Sequence, residues 1–386
     1  MILSLMPFLK VDLKHDDNVP PIHRIPVELL GEIFKHYLDE APQTRRKNIG
    51  TSRLTTGYLT TVNPIILGHI CLRWRNISLS MPTLWSSLAI YRPKLSQIPL
   101  IRLWLKRSGV CPLTLSLSQT IDGDVTQVAA TRHILSYFVR CARRWQSIRL
   151  SLYDGPPYEP LLNLPPGTAG MLESAHLDLP DWNYEDIDRL WSTFHSSPSL
   201  RRVAWGSEYD FQQLPTHIPW KQLTHITARN IITSTPEELL HVLQSCKNLH
   251  EFHISTSWSY TVRVQILATP IVLPNLQHLK IYAEGSSSAP LLSQVTLPAL
   301  DSLQLYHTSL SYVDVQKPRS CSFLTDLVVR SACRLQHFSL TDKGVTEADL
   351  AGFLSAPAAS SLREISLVLG SIAEPAVKME ACDFCQ

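Results

Sequence analysis

The chain has 386 residues, of which 44% are apolar and 18% are charged, and its formal net charge is +2. This composition is that of a globular protein with room for one large domain or two modest ones. The small net charge gives no whole-chain field that would favour nucleic acid or a membrane surface, and the sequence has no run of about eighteen apolar residues to span a membrane.

The first 21 residues are expected to form an extension without fixed structure. Their opening run, MILSLMPFLK, has no preceding basic residue and is interrupted by Pro7, so it is a poor secretory signal. Six of the eight cysteines are scattered through apolar segments, where a reduced thiol behaves as a small buried hydrophobe. This usage predicts an intracellular protein, cytoplasmic or nuclear.

An amphipathic helix is predicted to begin near Pro26, because the first helical turn has no use for the N–H that proline lacks. Apolar residues then recur in pairs about every four positions and give one wide apolar face. They are Leu29, Leu30, Ile33, Phe34, Tyr37 and Leu38.

A polar segment separates this helix from the next one. Residues 39–62 are rich in Thr, Ser and Asn, and we interpret them as a solvated, mobile insertion. Asn63 and Pro64 then predict a second helix, as an N-cap residue followed by proline, and Pro82 ends it. Its apolar stripe, spaced by four residues, is Ile66, Ile70 and Trp74.

A template of three apolar residues, spaced as L-x-x-L-x-L, recurs along the rest of the chain. Its eleven copies begin at positions 85, 110, 145, 172, 200, 223, 249, 276, 300, 335 and 362. Eight of the ten gaps fall between 23 and 28 residues, which is the period of leucine-rich repeats. The last two apolar residues alternate with polar ones, as a half-buried strand requires. The gap leaves room for a return segment, so successive strands are expected to be parallel.

Several return segments carry helix signals. The segments that begin at Thr235 and Thr346 have N-terminal capping residues, and segments 124–144 and 182–195 also predict helices. By contrast, segment 284–296 is short and rich in Ser and Pro, and it predicts a loop.

The sequence carries no catalytic motif. It has no nucleophile elbow, zinc-protease helix, phosphate-binding glycine loop or dinucleotide fingerprint. Cys382 and Cys385 are the only close cysteine pair, whereas a structural zinc site needs four ligands. We therefore expect no enzymatic activity, no cofactor and no metal site, and we expect residues 370–386 to form a tail.

A series of short motifs, taken in order, resembles an F-box: Ile25-Pro26-x-Glu28-Leu29-Leu30, Ile33-Phe34, Ile70-Cys71-Leu72-Arg73-Trp74 and Leu84-Trp85. Together with the repeats, and with the stretches WLKRSGVCPLTLSL and MPTLWSSLAI, they resemble a large fungal family of F-box proteins. The resemblance implies an α/β fold. F-box helices would occupy residues 22–84, around the insertion, and an irregular leucine-rich-repeat solenoid with a mostly parallel, curved sheet would occupy residues 85–369.

The same resemblance implies a non-catalytic subunit that recruits substrates to a Skp–cullin–F-box ubiquitin ligase. The F-box would dock on the Skp adaptor, and through it on a cullin, while the solenoid would hold a protein substrate; neither nucleic acid nor a membrane is an expected partner. The alternative function is a leucine-rich-repeat scaffold or protein-binding module that acts outside a ligase. A separate alternative for the apolar face of the helices is that it only caps the open end of the solenoid. The implied adaptor-binding residues are Ile25, Pro26, Leu29, Leu30, Ile33, Phe34, Ile70, Cys71 and Trp74.

The polar strand positions predict a substrate surface on the concave side of the sheet. In parallel strands about 4.8 Å apart, His225, Glu251 and His278 should stack in a row. A carboxylate between two imidazoles favours their charged forms, so we expect this surface to become more positive just below neutral pH. An ordinary solvated strand face is the alternative. The predicted substrate-binding residues are Arg202, His225, Thr227, Glu251, His253, His278, Lys280 and Tyr282.

Overall fold

The structure is a computed structural model that describes residues 21–39, 53–55, 62–121, 123–153, 158–206, 217–231, 236–256, 269–284, 288–308 and 321–369. Nearly all of the predicted N-terminal extension, most of the predicted insertion, and the tail with Cys382 and Cys385 lie outside the described residues.

Strands and helices alternate along the described chain. The strands are β1 Arg53–Thr55, β2 Ser87–Tyr91, β3 Leu113–Ser118, β4 Trp145–Ser151, β5 Ser174–Asp178, β6 Arg202–Trp205, β7 His225–Ile231, β8 Glu251–Thr256, β9 Ile271–Val272, β10 His278–Glu284, β11 Val295–Thr296, β12 Ser302–Thr308, β13 His337–Asp342 and β14 Glu364–Leu369. The helices are α1 Pro21–Arg24, α2 Val27–Asp39, α3 Leu72–Ser80, α4 Ile98–Arg107, α5 Val125–Arg140, α6 Glu159–Leu162, α7 Tyr184–His195, α8 Pro236–Ser245, α9 Ala289–Leu292, α10 Ser322–Ser331 and α11 Glu347–Leu354.

Twelve of these strands form one large, open sheet in which each strand lies beside its neighbour in the chain, in the order β1-β2-β3-β4-β5-β6-β7-β8-β10-β12-β13-β14. Every pair from β2 onward is parallel. The predicted mostly parallel sheet is therefore confirmed. The short strands β9 and β11 pair in a separate two-stranded sheet.

The segment predicted as a mobile insertion contributes a strand to this sheet. Residues Arg53–Thr55 form β1, which pairs antiparallel with β2 at the edge of the sheet. Leu54 packs against the core, and Thr55 is buried. The prediction is wrong for these residues because an otherwise polar segment contains one apolar residue that can help to cover the edge of β2.

The pairing register aligns equivalent template residues on neighbouring strands. Leu279, for example, lies between Phe252 and Leu303. The complete row of these first inward-facing strand residues is Leu88, Leu115, Ile148, Ala175, Val203, Ile226, Phe252, Leu279, Leu303, Phe338 and Ile365. All but the last are buried, whereas Ile365 on β14 is 48% exposed because no described residue lies beyond that edge.

The predicted second copy of the template begins two residues too early in the sequence. Val110 lies in the turn after α4 and is 93% exposed, and the residues that enter the inward-facing rows are Leu115 and Leu117. The prediction fails here because Leu113, Leu115 and Leu117 alternate, so two registers satisfy the same pattern. The sheet register also shifts between Leu113 and Thr114.

Most of the predicted return helices are present. Asp124 caps α5 by accepting a hydrogen bond from the Gln127 N–H at 2.8 Å, and Thr346 and Asp349 form the predicted capping box of α11. Helices α7 and α8 also lie within their predicted segments, although Thr235 lies outside the described residues.

The predicted loop at 284–296 is wrong in part. It contains the one-turn helix α9 and the strand β11. Pro290 stands in the first turn of α9, where the N–H that it lacks has no partner, so a proline that suggested a loop starts a helix instead.

The predicted helix after Asn63 is two elements. A 3-10 turn covers Ile66–His69, and α3 begins only at Leu72. Cys71 separates them in an extended conformation, and its Sγ accepts a hydrogen bond from the Trp74 N–H at 3.4 Å. The local N-cap at Cys71 therefore ends the first element and starts the second.

The core lies between the inward face of the sheet and the return segments. Among the described residues it contains five fully buried tryptophans and five fully buried phenylalanines. The ring centroids of Trp145 and Phe194 lie 6.1 Å apart, and those of Trp191 and Trp205 lie 5.8 Å apart. The six described cysteines are free thiols, and burial raises the pKa of Cys246 to about 12. Within the described ranges, no helix has both the length and the apolarity that a membrane crossing requires.

The inward rows generate a stability prediction. Leu279→Asp or Leu305→Asp should lower the free energy of unfolding by on the order of 4 kcal/mol, because each places an unpaired carboxylate in the core. Gln304→Asp, on the opposite face of β12, is the matched control and should cost less than about 1 kcal/mol. Denaturant unfolding measures both, and similar losses for Leu305→Asp and Gln304→Asp would contradict the assigned faces.

Candidate functional site

The N-terminal helices expose an apolar face. On α2, Leu30, Phe34 and Leu38 are spaced by four residues and are buried in the core. Three further apolar residues with the same spacing lie on another side of α2 and are exposed: Leu29, Ile33 and Tyr37. A helix that is apolar on two sides buries only one of them within this chain.

The elements beside α2 add three more exposed apolar side chains. Ile66 and Ile70 lie in and directly after the 3-10 turn, and Leu72 starts α3, which packs against both that turn and α2. Leu29 is 57% exposed, Ile70 61% and Leu72 70%. We call Leu29, Ile33, Tyr37, Ile66, Ile70 and Leu72 the helical apolar face. Large exposed apolar surfaces of this kind commonly mark interaction sites.

Arg73 fixes the chain that leads into α2. Its guanidinium donates hydrogen bonds to the carbonyl oxygens of Ile22, His23 and Ile25, the last at 2.5 Å. These bonds join α1 to α3 across about fifty residues of sequence. They therefore hold the start of α2, with Pro26, in a defined position beside α3.

Two of the predicted adaptor-binding residues are wrong. Leu30 and Phe34 have 0% and 1% of their surfaces exposed, because both pack in the core, where the Phe34 and Trp74 rings lie 4.7 Å apart. Ile25, Cys71 and Trp74 are half-buried, whereas Pro26, Leu29, Ile33 and Ile70 are exposed. The prediction omitted Tyr37, Ile66 and Leu72, although the four-residue spacing after Leu29 and Ile33 could have indicated Tyr37.

The outward side of the parallel sheet carries the second predicted surface, and the register places its residues as the sequence predicts. Glu251 lies between His225 and His278, and His253 lies between Thr227 and Lys280. Arg202 lies beside His225, and Tyr282 lies two residues after Lys280 and therefore on the same face. We call these side chains, with their neighbours Ser302, Gln304 and Tyr306 on β12, the polar sheet face.

Glu251 is the centre of the polar sheet face. One of its carboxylate oxygens lies 3.2 Å from His253 Nε2, and the other lies 3.7 Å from His225 Nε2. Glu251, His253 and His278 line a shallow pocket of about 230 Å³ together with Lys280, Ser302 and Gln304. This pocket offers hydrogen-bond donors, acceptors and one ammonium group to a partner.

Aromatic side chains lie beside Lys280, one of the residues that line the pocket. The Tyr282 and Tyr306 rings are stacked with centroids 6.4 Å apart, and Lys280 Nζ lies 5.0 Å from the Tyr306 centroid. Tyr306, Ser302 and Gln304 were not among the predicted residues. The equal register of β10 and β12 could have indicated Tyr306, because it occupies the position of Tyr282 on the next strand.

The predicted acid response is wrong for His225 and His253. Burial lowers the pKa of His225 and of His253 below the ordinary value of 6.5, and the Glu251 carboxylate, which raises both, only partly opposes this effect. The sequence showed the carboxylate beside the imidazoles but not how far the sheet shields them from water. Both imidazoles are therefore neutral near pH 7.

A buried polar chain elsewhere has the bonding order of a hydrolase triad. His307 Nδ1 lies 2.8 Å from an Asp342 carboxylate oxygen, and His307 Nε2 lies 2.9 Å from the Ser288 hydroxyl. All three side chains are buried, and Ser288 has no exposed surface, so a substrate cannot reach its hydroxyl in this conformation. We assign these three hydrogen-bonded side chains a structural role, because they join three successive strand-and-return units.

Other chemistry is limited in the described part of the chain. Among those residues, no group of three or more His, Cys, Asp or Glu side chains is arranged to hold a metal ion. The sequence matches no protein-family model, and no curated protein matches it. Function is therefore inferred from the helical apolar face and the polar sheet face.

Titration of the histidines tests the arrangement around Glu251. Glu251→Gln should move the pKa values of His225 and His253 still further below 6.5, because it removes the charge that raises them. NMR of the imidazole protons against pH measures both values, with Glu347→Gln on α11 as the control. A rise in either value in Glu251→Gln would contradict this assignment.

Stability that depends on these neutral imidazoles should be present above pH 6.5 and be lost as the pH falls through their lowered pKa.

Proposed function

We propose that the chain is a substrate-recruiting subunit of a Skp–cullin–F-box ubiquitin ligase. In this proposal α2, the 3-10 turn and α3 act as an F-box, and the sheet with its return segments acts as an irregular leucine-rich-repeat solenoid. The single observation that carries the proposal is the helical apolar face, which exposes six large apolar side chains on the elements that contain the F-box-like motifs.

Docking on an adaptor gives these side chains a physical role. Helices that bind in the groove of a partner present apolar residues spaced by three or four along one side, as Leu29, Ile33 and Tyr37 are. Burial of such side chains contributes roughly 25 cal/mol for each Å² removed from water. The described part of the chain leaves them in solvent, so a protein partner is the simplest means of covering them.

The alternative is a protein-binding module that acts outside a ligase, in which the N-terminal helices cap the end of the sheet. One observation favours a capping contribution: Leu30, Phe34 and Leu38 belong to the same core as the residues of β2. Capping explains why α2 buries one side, but it leaves Leu29, Ile33 and Tyr37 without a role. We therefore treat capping as a second task of the same helix.

The polar sheet face is the proposed substrate surface. It combines a carboxylate, imidazoles and an ammonium group around a pocket too shallow to enclose a small molecule, and two stacked tyrosines lie beside that ammonium group. Tyrosines and mixed polar groups are typical of protein-binding surfaces, where rigid rings supply contact area at low cost in conformational entropy.

Adaptor capture tests the ligase proposal. The tagged full chain, co-expressed with a Skp adaptor, should retain it, and the double variant Leu29→Asp with Ile33→Asp should lose at least nine-tenths of the adaptor. Both residues are exposed, so the melting temperature should not change. Val329→Asp is the matched control, because Val329 is an exposed apolar residue on the distant helix α10. Failure of the unaltered chain to retain any adaptor would make the ligase proposal wrong.

Substrate capture tests the polar sheet face separately. The combined variant His225→Ala, His253→Ala and His278→Ala should lose proteins that co-purify with the unaltered chain, while it still retains the adaptor. Mass spectrometry at pH 7 and at mildly acidic pH identifies the retained proteins. An identical set from both chains at both pH values would place substrate recognition elsewhere.

A further inference from the structure

A cleft lies between the N-terminal helices and the first strand-and-return unit. Its volume is about 210 Å³, and its lining comes from the 3-10 turn at Ile66–His69 and its approach, from α3, and from the segment around Trp85 and the end of α4. The lining residues that matter chemically are His69, Arg75 and Arg107, with Ile65, Leu79 and Trp85 as apolar walls. None of the residues that line the cleft carries a carboxylate.

Local contacts hold the two arginines in place without neutralising them. Arg75 Nε donates a hydrogen bond to the Gly68 carbonyl oxygen at 2.8 Å, and the Arg107 guanidinium carbon lies 4.5 Å from the centroid of the Trp85 ring. Among the ion pairs between described residues, none involves Arg75, Arg107 or His69. Partial burial lowers the pKa of Arg107.

The sequence around the cleft is strongly basic, although the whole chain is nearly neutral. Residues 41–153 contain 16 Lys and Arg against 2 Asp and Glu, a net charge of +14, whereas residues 154–386 contain 15 against 24, a net charge of −9. On α4 and α5, Arg102 and Arg140 both lie over the Tyr137 ring, at 5.9 and 5.6 Å, so like charges gather on one aromatic side chain. A field of one sign attracts a partner of the opposite sign and speeds its association.

We infer that this cleft binds a carboxylate side chain from an acidic segment of a protein partner. Its volume is below the range of roughly 300–1,000 Å³ that small-molecule sites occupy, so it fits one side chain and not a cofactor. Arginines bind carboxylates through charge-assisted hydrogen bonds, and Arg75 and Arg107 approach the cleft from separate elements. Leu79 also lines the cleft and is 39% exposed. Because this apolar side chain needs an apolar contact, we expect the acidic segment of the partner to carry apolar residues next to its acidic ones.

This inference does not depend on the ligase proposal, because it needs no adaptor. The experiment uses the full chain and a fluorescein-labelled peptide that repeats the triplet Glu-Glu-Leu. Binding is followed by fluorescence anisotropy. Arg75→Gln and Arg107→Gln should each weaken binding about tenfold, which corresponds to about 1.4 kcal/mol. Arg334→Gln, an exposed arginine outside the basic stretch, is the matched control and should leave the affinity unchanged.

Melting temperatures and two competitor ligands separate the other outcomes. If Arg75→Gln and Arg107→Gln lower the melting temperature but leave the affinity for the peptide unchanged, both arginines serve only to tie the elements together, and the inference is overturned. Tenfold tighter binding of a phosphoserine peptide of the same length would assign the cleft to phosphate. Binding of an oligothymidylate that displaces the acidic peptide would assign it to nucleic acid, and either result would overturn the assignment to a carboxylate.

Discussion

The burial of one row of apolar side chains by the next is the interaction on which the rest of this structure depends. In the parallel sheet, each inward-facing residue of a strand lies beside its counterpart on both neighbouring strands, as Leu279 does between Phe252 and Leu303. A shift of one residue in any strand would turn its apolar residues outward, so the spacing of the template sets the register throughout. The return segments then need only cover the row, which explains why they can be full helices, single turns or irregular chain.

The same alternation produces the polar sheet face. Because successive residues of a strand point to opposite sides, a buried row at Leu279 and Leu305 requires an outward row at Lys280 and Gln304. The core therefore fixes the positions of the outward residues but not their identities. This division lets the outward residues vary in chemistry without cost to the fold.

Sequence patterns predicted the sheet well, because one periodic constraint governs it. Patterns failed where two solutions satisfy the same constraint, as for Leu113, Leu115 and Leu117, or where a helix is apolar on more than one side. Leu29 and Leu30 are adjacent and equally apolar, so only their packing shows that Leu30 faces the core and Leu29 faces solvent. The pKa values of His225 and His253 could not be predicted either, because they depend on how much water the folded sheet excludes.

The buried chain of Ser288, His307 and Asp342 has a consequence for how the sheet opens. Its members belong to three successive units near the β14 edge, and each hydrogen bond crosses from one unit to the next. Units of this kind can fray one at a time from an edge, since each contacts mainly its neighbours. Loss of β13 would leave His307 buried without its carboxylate, so β12 and β13 should detach together and the fraying unit at this end should be larger than one strand.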